Sequence, residues 1–104
     1  MAELGASGVE IRIKGDCDLY HAPAFARDIL GGIERGWRSV RVDAAELVYL
    51  DSTGVGAFIR ILQALKSRGG RLSTRGLRGA PRRVLEMSNI LALLGDEGPG
   101  EVRR

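Results

Sequence analysis

Leu50-Asp51-Ser52-Thr53-Gly54-Val55-Gly56 places a carboxylate and two hydroxyls where a run of strand-forming residues gives way to an amphipathic pattern. The first turn of a helix presents unpaired N–H groups and the positive end of the helix dipole. A serine there can cap the helix, or it can carry a phosphate that the helix end accommodates. Spacing alone leaves both readings open. Further upstream, Gly15-Asp16-Cys17-Asp18 ends another alternating run, with Tyr20 and His21 following. If the two strands are parallel neighbours, Asp16, Asp18 and Asp51 collect at the sheet edge where open α/β sheets bind ligands and partners. A carboxylate cluster of that kind could take Mg²⁺ only with help from substrate phosphates. In the plainer reading Asp51 caps a helix and Asp18 ends a strand. No metal and no cofactor is expected.

Other chemistry is hard to assemble from these residues. There is no Gly-x-x-x-x-Gly-Lys-Ser/Thr run, and Gly54-Val55-Gly56 lacks a third glycine at the dinucleotide spacing. His21 is the only histidine, so a triad would need Asp18, His21 and Ser52 together. A histidine just before a Pro-started helix more commonly lies at the surface. Cys17, the only cysteine, rules out an internal disulfide, and one Cys with one His rules out a Cys/His zinc site. Flanked by Asp16 and Asp18, its thiol should be harder to ionise, in keeping with a small apolar core residue. The expectation is a protein without enzymatic activity.

The elements that must position these residues follow from periodicity. Val9-Glu10-Ile11-Arg12-Ile13 alternates as a half-buried strand. Pro23 suits a first helical turn, and Ala22, Phe25, Ala26, Ile29 and Ile33 recur at helical spacing up to Gly36. Val40–Ala44 reads as the next strand, joined through Glu46 to Val48-Tyr49-Leu50. Val55, Phe58, Ile59, Leu62 and Leu65 form the stripe of a second helix, ended by Gly69-Gly70. Arg71-Leu72-Ser73-Thr74 is a weak strand, and Pro81 opens a short third helix with Val84, Leu85, Ile90 and Leu91 inward. The alternation predicts an α/β fold with a parallel or mixed sheet. Residues 1–94 form one domain in this reading, and 95–104 a flexible charged tail.

At 104 residues the chain holds one core and no second domain. No apolar run approaches the roughly 20 residues of a membrane span. The N-terminus lacks the basic start and apolar core of a secretory signal, so a cytoplasmic location is expected. The net charge of +3 divides unevenly: residues 1–52 carry six Lys/Arg against nine Asp/Glu, and residues 53–104 carry ten against four. An arginine-rich second half could meet nucleic acid. With one Trp, two Tyr and two Phe as stacking platforms, a solvated basic surface is the better reading. No specific nucleic-acid partner is expected.

The stretch Val42 to Gly56 resembles the core motif of STAS domains, in particular the bacterial anti-sigma factor antagonists. Their motif runs aspartate-serine-serine/threonine-glycine-leucine-glycine. Gly15-Asp16-Cys17-Asp18 with Ala22-Pro23, Gly69-Gly70-Arg71-Leu72 and Arg82–Met87 extend the resemblance over about residues 9–94. It implies a single STAS-like domain with a four- to five-stranded mixed sheet and three to four helices. It implies an anti-sigma factor antagonist, a partner-switch phosphoprotein in signal transduction, transcription regulation and stress response. The phosphoacceptor would be Ser52, with Thr53 second. The partners would be an anti-sigma factor with ATP-dependent serine kinase activity and a PP2C-type phosphatase. Asp51 would orient the loop, and Thr53 would help cap the helix. Gly54 and Gly56 would admit a partner backbone beside Val55. Asp18 would share that face, with Tyr20 and His21 at its edge. The resemblance also covers a rival role, an unphosphorylated STAS subunit docked on a lipid-transport ATPase complex. Three positions depart from the pattern. Ser73-Thr74 replaces apolar residues, Asn89 stands where glycine is common, and any first strand must lie within residues 2–6.

Overall fold

The structure is a computed structural model in which residues 2–3 and 8–96 are described. Strand β1 (Ala2–Glu3) pairs antiparallel with β2 (Gly8–Cys17). Helix α1 (Ala22–Glu34) leads to β3 (Ser39–Leu50), and α2 (Ser52–Lys66) to β4 (Arg71–Arg75). Helix α3 (Gly79–Met87) and a 3₁₀ turn, Leu91–Leu93, precede β5 (Gly95–Asp96). The sheet order is β1-β2-β3-β4-β5. Its body is three parallel strands, β2, β3 and β4. The fuller count of four to five strands is reached only through the two-residue pairings at either edge. Of the tail expected over 95–104, the first two residues pair with β4, and the rest lies outside the described residues.

Each crossover from β2 onward moves one strand further in the same direction. Parallel crossovers are almost always right-handed, so all three helices fall on one face of the sheet. That face carries Val9, Ile13, Val40, Val42, Ala44 and Leu72 into the core, against Ile29, Ile33, Phe58, Ile61 and Leu65 from α1 and α2. The Phe25 and Phe58 rings pack at a tilt, 5.6 Å apart, where α1 meets α2. Because α2 lies against both α1 and the sheet, its buried face is wider than the expected stripe. Ala57 and Ile61 are buried, while Val55 and Ile59 sit at its margin.

The opposite face is free of helices and polar. Glu10, Arg12, Arg41, Asp43 and Arg75 stand on it in register, and each of these five finds an opposite charge. Arg41 Nη2 donates to Glu10 Oε1 at 2.6 Å, and Arg75 Nη2 to Glu10 Oε2 at 2.5 Å. Arg75 also reaches Asp43 Oδ2 at 3.2 Å, with Arg12 on the other side at 3.6 Å. Exposed pairs are individually weak. Here they form a network that satisfies a face parallel sheets usually cover.

Strand β3 is a single twelve-residue element rather than two pieces. Its pairing with β2 slips twice, between Arg12 and Lys14 and again between Gly15 and Asp16. Each bulge adds one residue to β3 and re-aims the side chains beyond it. The buried residues therefore run Val40, Val42, Ala44, Leu47, Leu50, turning from steps of two to steps of three. Asp43 Oδ1 accepts the Ala45 N–H at 3.1 Å and braces the first bulge. Asn89 does take a positive φ of 60°, as glycine would.

Ser73 and Thr74 divide between the two faces. Ser73 is half-buried on the ion-pair face, and Thr74 is wholly buried in the core. The Thr74 hydroxyl has no hydrogen-bond partner among the described residues. A buried hydroxyl left unpaired opposes folding. Thr74→Val, which keeps the shape, should raise stability by about 1 kcal/mol in urea denaturation.

Candidate functional site

The parallel pairing of β2 and β3 brings Cys17 opposite Leu50, so both strands deliver their loops to the same sheet edge. The Asp51 N–H points to the Cys17 carbonyl at 3.4 Å, tying the two loops together. Asp51 has extended backbone, and its Oδ1 accepts the Gly54 N–H at 3.0 Å. Its carbonyl accepts the Val55 N–H at 2.9 Å. Asp51 is thus the N-cap of α2. Ser52 follows as the first helical residue, exposed, with no hydrogen bond to its hydroxyl among the described residues. The ambiguity of the serine is removed: the carboxylate caps, and the hydroxyl is left over. Thr53, half-buried, takes no part in the cap.

The two motif glycines differ. Gly54 is buried, and a Cβ on it would lie 2.4 Å from the Cys17 carbonyl oxygen and 2.4 Å from Leu50 Cδ1. Its smallness serves packing inside the protein, against Cys17 and Leu50. Gly56 is half-buried, and a Cβ there would meet nothing within 4 Å. The fold itself makes no demand for glycine at 56.

Asp18 organises the other loop. Its Oδ1 accepts from the Tyr20 N–H at 3.0 Å, the His21 N–H at 3.1 Å and His21 Nδ1–H at 2.7 Å. Its carbonyl accepts the N–H groups of His21 and Ala22 at the start of α1. Desolvation pushes the Asp18 carboxyl pKa upward. The hydrogen bonds from the His21 side chain and from the His21 and Tyr20 backbone, with the His21 charge, outweigh it and hold the carboxyl below 3.8. The Asp18–His21 pair of a nominal triad therefore exists, but no hydrogen bond joins His21 to Ser52 among the described residues. The Cys17 thiol is pushed up to about 11 by burial, then by the charges of Asp51 and Asp18. It is a packed core residue beneath Gly54.

Residues 2–95 match the family described as "Mlab, STAS domain". The chain is a STAS-domain protein. The domain is 28% identical over 85 residues to the anti-sigma-B factor antagonist of Bacillus subtilis, spanning 82% of this chain and 74% of that one. Among solved structures it is similar to the anti-sigma factor antagonist SpoIIAA in its unphosphorylated form, with a TM-score of 0.79 and 22% identity over 89% of this chain and 82% of that one. The Bacillus cell fate determinant SpoIIAA in the phosphorylated form gives a TM-score of 0.73, with 22% identity over 89% and 85% of the two chains. At that identity the likeness is one of fold.

Sequence reading passed over Leu19, Val48 and Tyr49, which stand exposed at this same end of the STAS domain. Their exposure depends on the bulges in β3 and the turn after β2, and periodicity carries no signal for either. No three His, Cys, Asp or Glu side chains converge as a metal site among the described residues, and none of the helices there is long and apolar enough to cross a membrane.

The glycines should respond oppositely in urea denaturation. Gly54→Ala should lose about 3 kcal/mol through overpacking. Gly56→Ala should gain about 0.5–1 kcal/mol from helix propensity. The Asp18 carboxyl should titrate below 3.8 in carboxyl-carbon NMR. Because its folded pKa is depressed, its stabilising effect should hold above 3.8 and disappear as pH falls through the folded midpoint.

Proposed function

We propose that this STAS domain is an anti-sigma factor antagonist working as a phosphorylation-controlled partner switch, with Ser52 as the acceptor. Unphosphorylated, it binds an anti-sigma factor through the edge formed by Asp18, Tyr20, His21, Ser52, Val55 and Gly56. Phosphorylation by that partner, a serine kinase using ATP, releases it, and a PP2C-type phosphatase resets it. In this reading the domain is a substrate and a binding partner rather than an enzyme, and it acts in the cytoplasm. One observation carries the reading: Asp51 caps α2 alone, so the Ser52 hydroxyl stands exposed and unengaged at the helix start. The anti-sigma-B factor antagonist of B. subtilis and the two phosphorylation forms of SpoIIAA support it as relatives and fold neighbours.

The physics of release is local. A phosphate on Ser52 adds about −1.5 to −2 charges at the positive end of α2, where the dipole and unpaired N–H groups tolerate it. The cap bond does not involve Ser52, so the helix start keeps its geometry. A partner seated over Ser52 would have to desolvate a dianion without a matched cation. A loss of about 3–4 kcal/mol is a few-hundred-fold in affinity, enough for release. Gly56, one helical turn beyond Ser52, gives a partner main chain room to approach.

Incubation with the cognate kinase and ATP, followed by mass spectrometry, should place one phosphate on Ser52 and none on the Ser52→Ala variant. Modification of Ser52→Ala at the normal rate would sink the assignment and move it to Thr53 or elsewhere. Ser52→Asp should keep the native circular dichroism spectrum and bind the anti-sigma factor at least a hundredfold more weakly. Stable capture of a transport ATPase subunit, indifferent to the state of Ser52, would favour the docking-subunit role instead.

A further inference from the structure

The side chains of Arg27, Arg60, Arg71 and Arg83 make no hydrogen bond, ion pair or ring contact among the described residues. Two of these arginines line one groove. It has a volume of about 430 Å³ where α1 and α2 adjoin, and is bounded by Pro23, Arg27, Leu30, Gly31 and Glu34 of α1 and by Arg60 of α2. The α1 residues recur at helical spacing and so form one stripe. Because β2, β3 and β4 are parallel, α1 and α2 both return in the same direction. The Phe25 and Phe58 rings, 5.6 Å apart, stand two residues before Arg27 and Arg60 on the two helices. Arg27 and Arg60 therefore lie at about the same level along the groove.

Glu34 is seven residues beyond Arg27 on the same stripe, roughly 10 Å further along the helix axis. It too holds no ion pair among the described residues. Half-buried Leu30 and Gly31 lie between them. The groove thus runs from two cations, over an apolar middle, to a carboxylate. Elsewhere the domain answers its arginines internally, as Glu10 answers Arg41 and Arg75. Arg27 and Arg60 have no such answer, and like charges on one groove repel. An anion between them would relieve that repulsion, and guanidinium groups match the oxygens of phosphate and carboxylate. The volume suits a small ligand. Glu34 disfavours a second negative charge at the far end.

We propose that the groove between α1 and α2 binds a small organic anion, with one phosphate or carboxylate head held by Arg27 and Arg60 and a short uncharged stem lying over Leu30 and Gly31. Ser52 does not line this groove, so the site is separate from the switch. The inference goes beyond the switch reading and stands or falls without it.

Amide NMR of the full chain, titrated with hexyl phosphate at about 0.15 M salt, tests this. The amides of Arg27, Leu30, Gly31 and Arg60 should shift saturably, with a dissociation constant in the millimolar range or tighter. Inorganic phosphate, which lacks the stem, and hexanol, which lacks the charge, should each bind at least tenfold more weakly. Arg27→Ala and Arg60→Ala should each weaken hexyl phosphate binding at least fivefold with unchanged circular dichroism, since neither side chain has a partner to lose. Arg83→Ala, equally unpaired but on α3, should bind as the wild type does, and Glu34→Gln should bind no more weakly. The absence of saturable shifts in the groove would overturn the site. So would wild-type binding by both Arg27→Ala and Arg60→Ala. An equal loss in Arg83→Ala would reduce the effect to general attraction by a basic surface, and equal binding of hexanol would leave an apolar groove with no anion site; either result overturns the proposal.

Discussion

Asp51 joins three elements through two backbone contacts and one side chain. Directly after β3, its N–H meets the Cys17 carbonyl at the end of β2, its carbonyl accepts the Val55 N–H, and its carboxylate holds the Gly54 N–H in the first turn of α2. Gly54 completes the junction by lying flat against Cys17 and Leu50, where any side chain would collide. Everything at this end of the domain refers back to that knot. It sets the angle at which α2 leaves the sheet, keeps the Asp18 turn beside the helix start, and leaves Ser52 facing outward. A carboxylate is well suited to this place because it favours the positive end of the helix dipole and satisfies a donor that would otherwise be orphaned.

The second constraint is handedness. Three right-handed crossovers in one direction put every helix on one face, so half of a parallel sheet is left without a covering layer. The chain meets this with alternating arginines and carboxylates in cross-strand register instead of a second apolar layer. Part of the second-half arginine that could suggest nucleic acid is engaged within the domain: Arg75 is occupied within the sheet, and Arg78 and Arg82 are bonded to backbone carbonyls. The same arrangement leaves β3 beyond Asp43 paired with β2 alone.

These two constraints separate the stability of the domain from the state of its serine. The cap, the buried glycine and the core beneath them make no use of the Ser52 hydroxyl. A charge placed on it acts on whatever approaches from outside, and the fold has no need to rearrange.

Much of this was legible in the chain. Alternation identified β2, helical spacing identified α1 and α2, and Asp51-Ser52-Thr53-Gly54 announced a helix start with a carboxylate and a spare hydroxyl. β3 was legible only in part, because steps of three from Ala44 to Leu47 to Leu50 match neither a strand nor a helix period; the bulges that create them are properties of the pairing with β2. The burial of Ala57 and Ile61 follows from α1 lying across α2, which the stripe on α2 alone does not contain. By itself the sequence determined the order of elements, the capping chemistry and the residue types at the sheet edge, since these depend on neighbours along the chain. Only the tertiary structure decided that Gly54 is inside and Gly56 outside, that Asp43 sits among arginines, and that Leu19, Tyr20, Val48 and Tyr49 share one end. Those facts depend on strand register and crossover hand, which bring together residues that are distant in sequence.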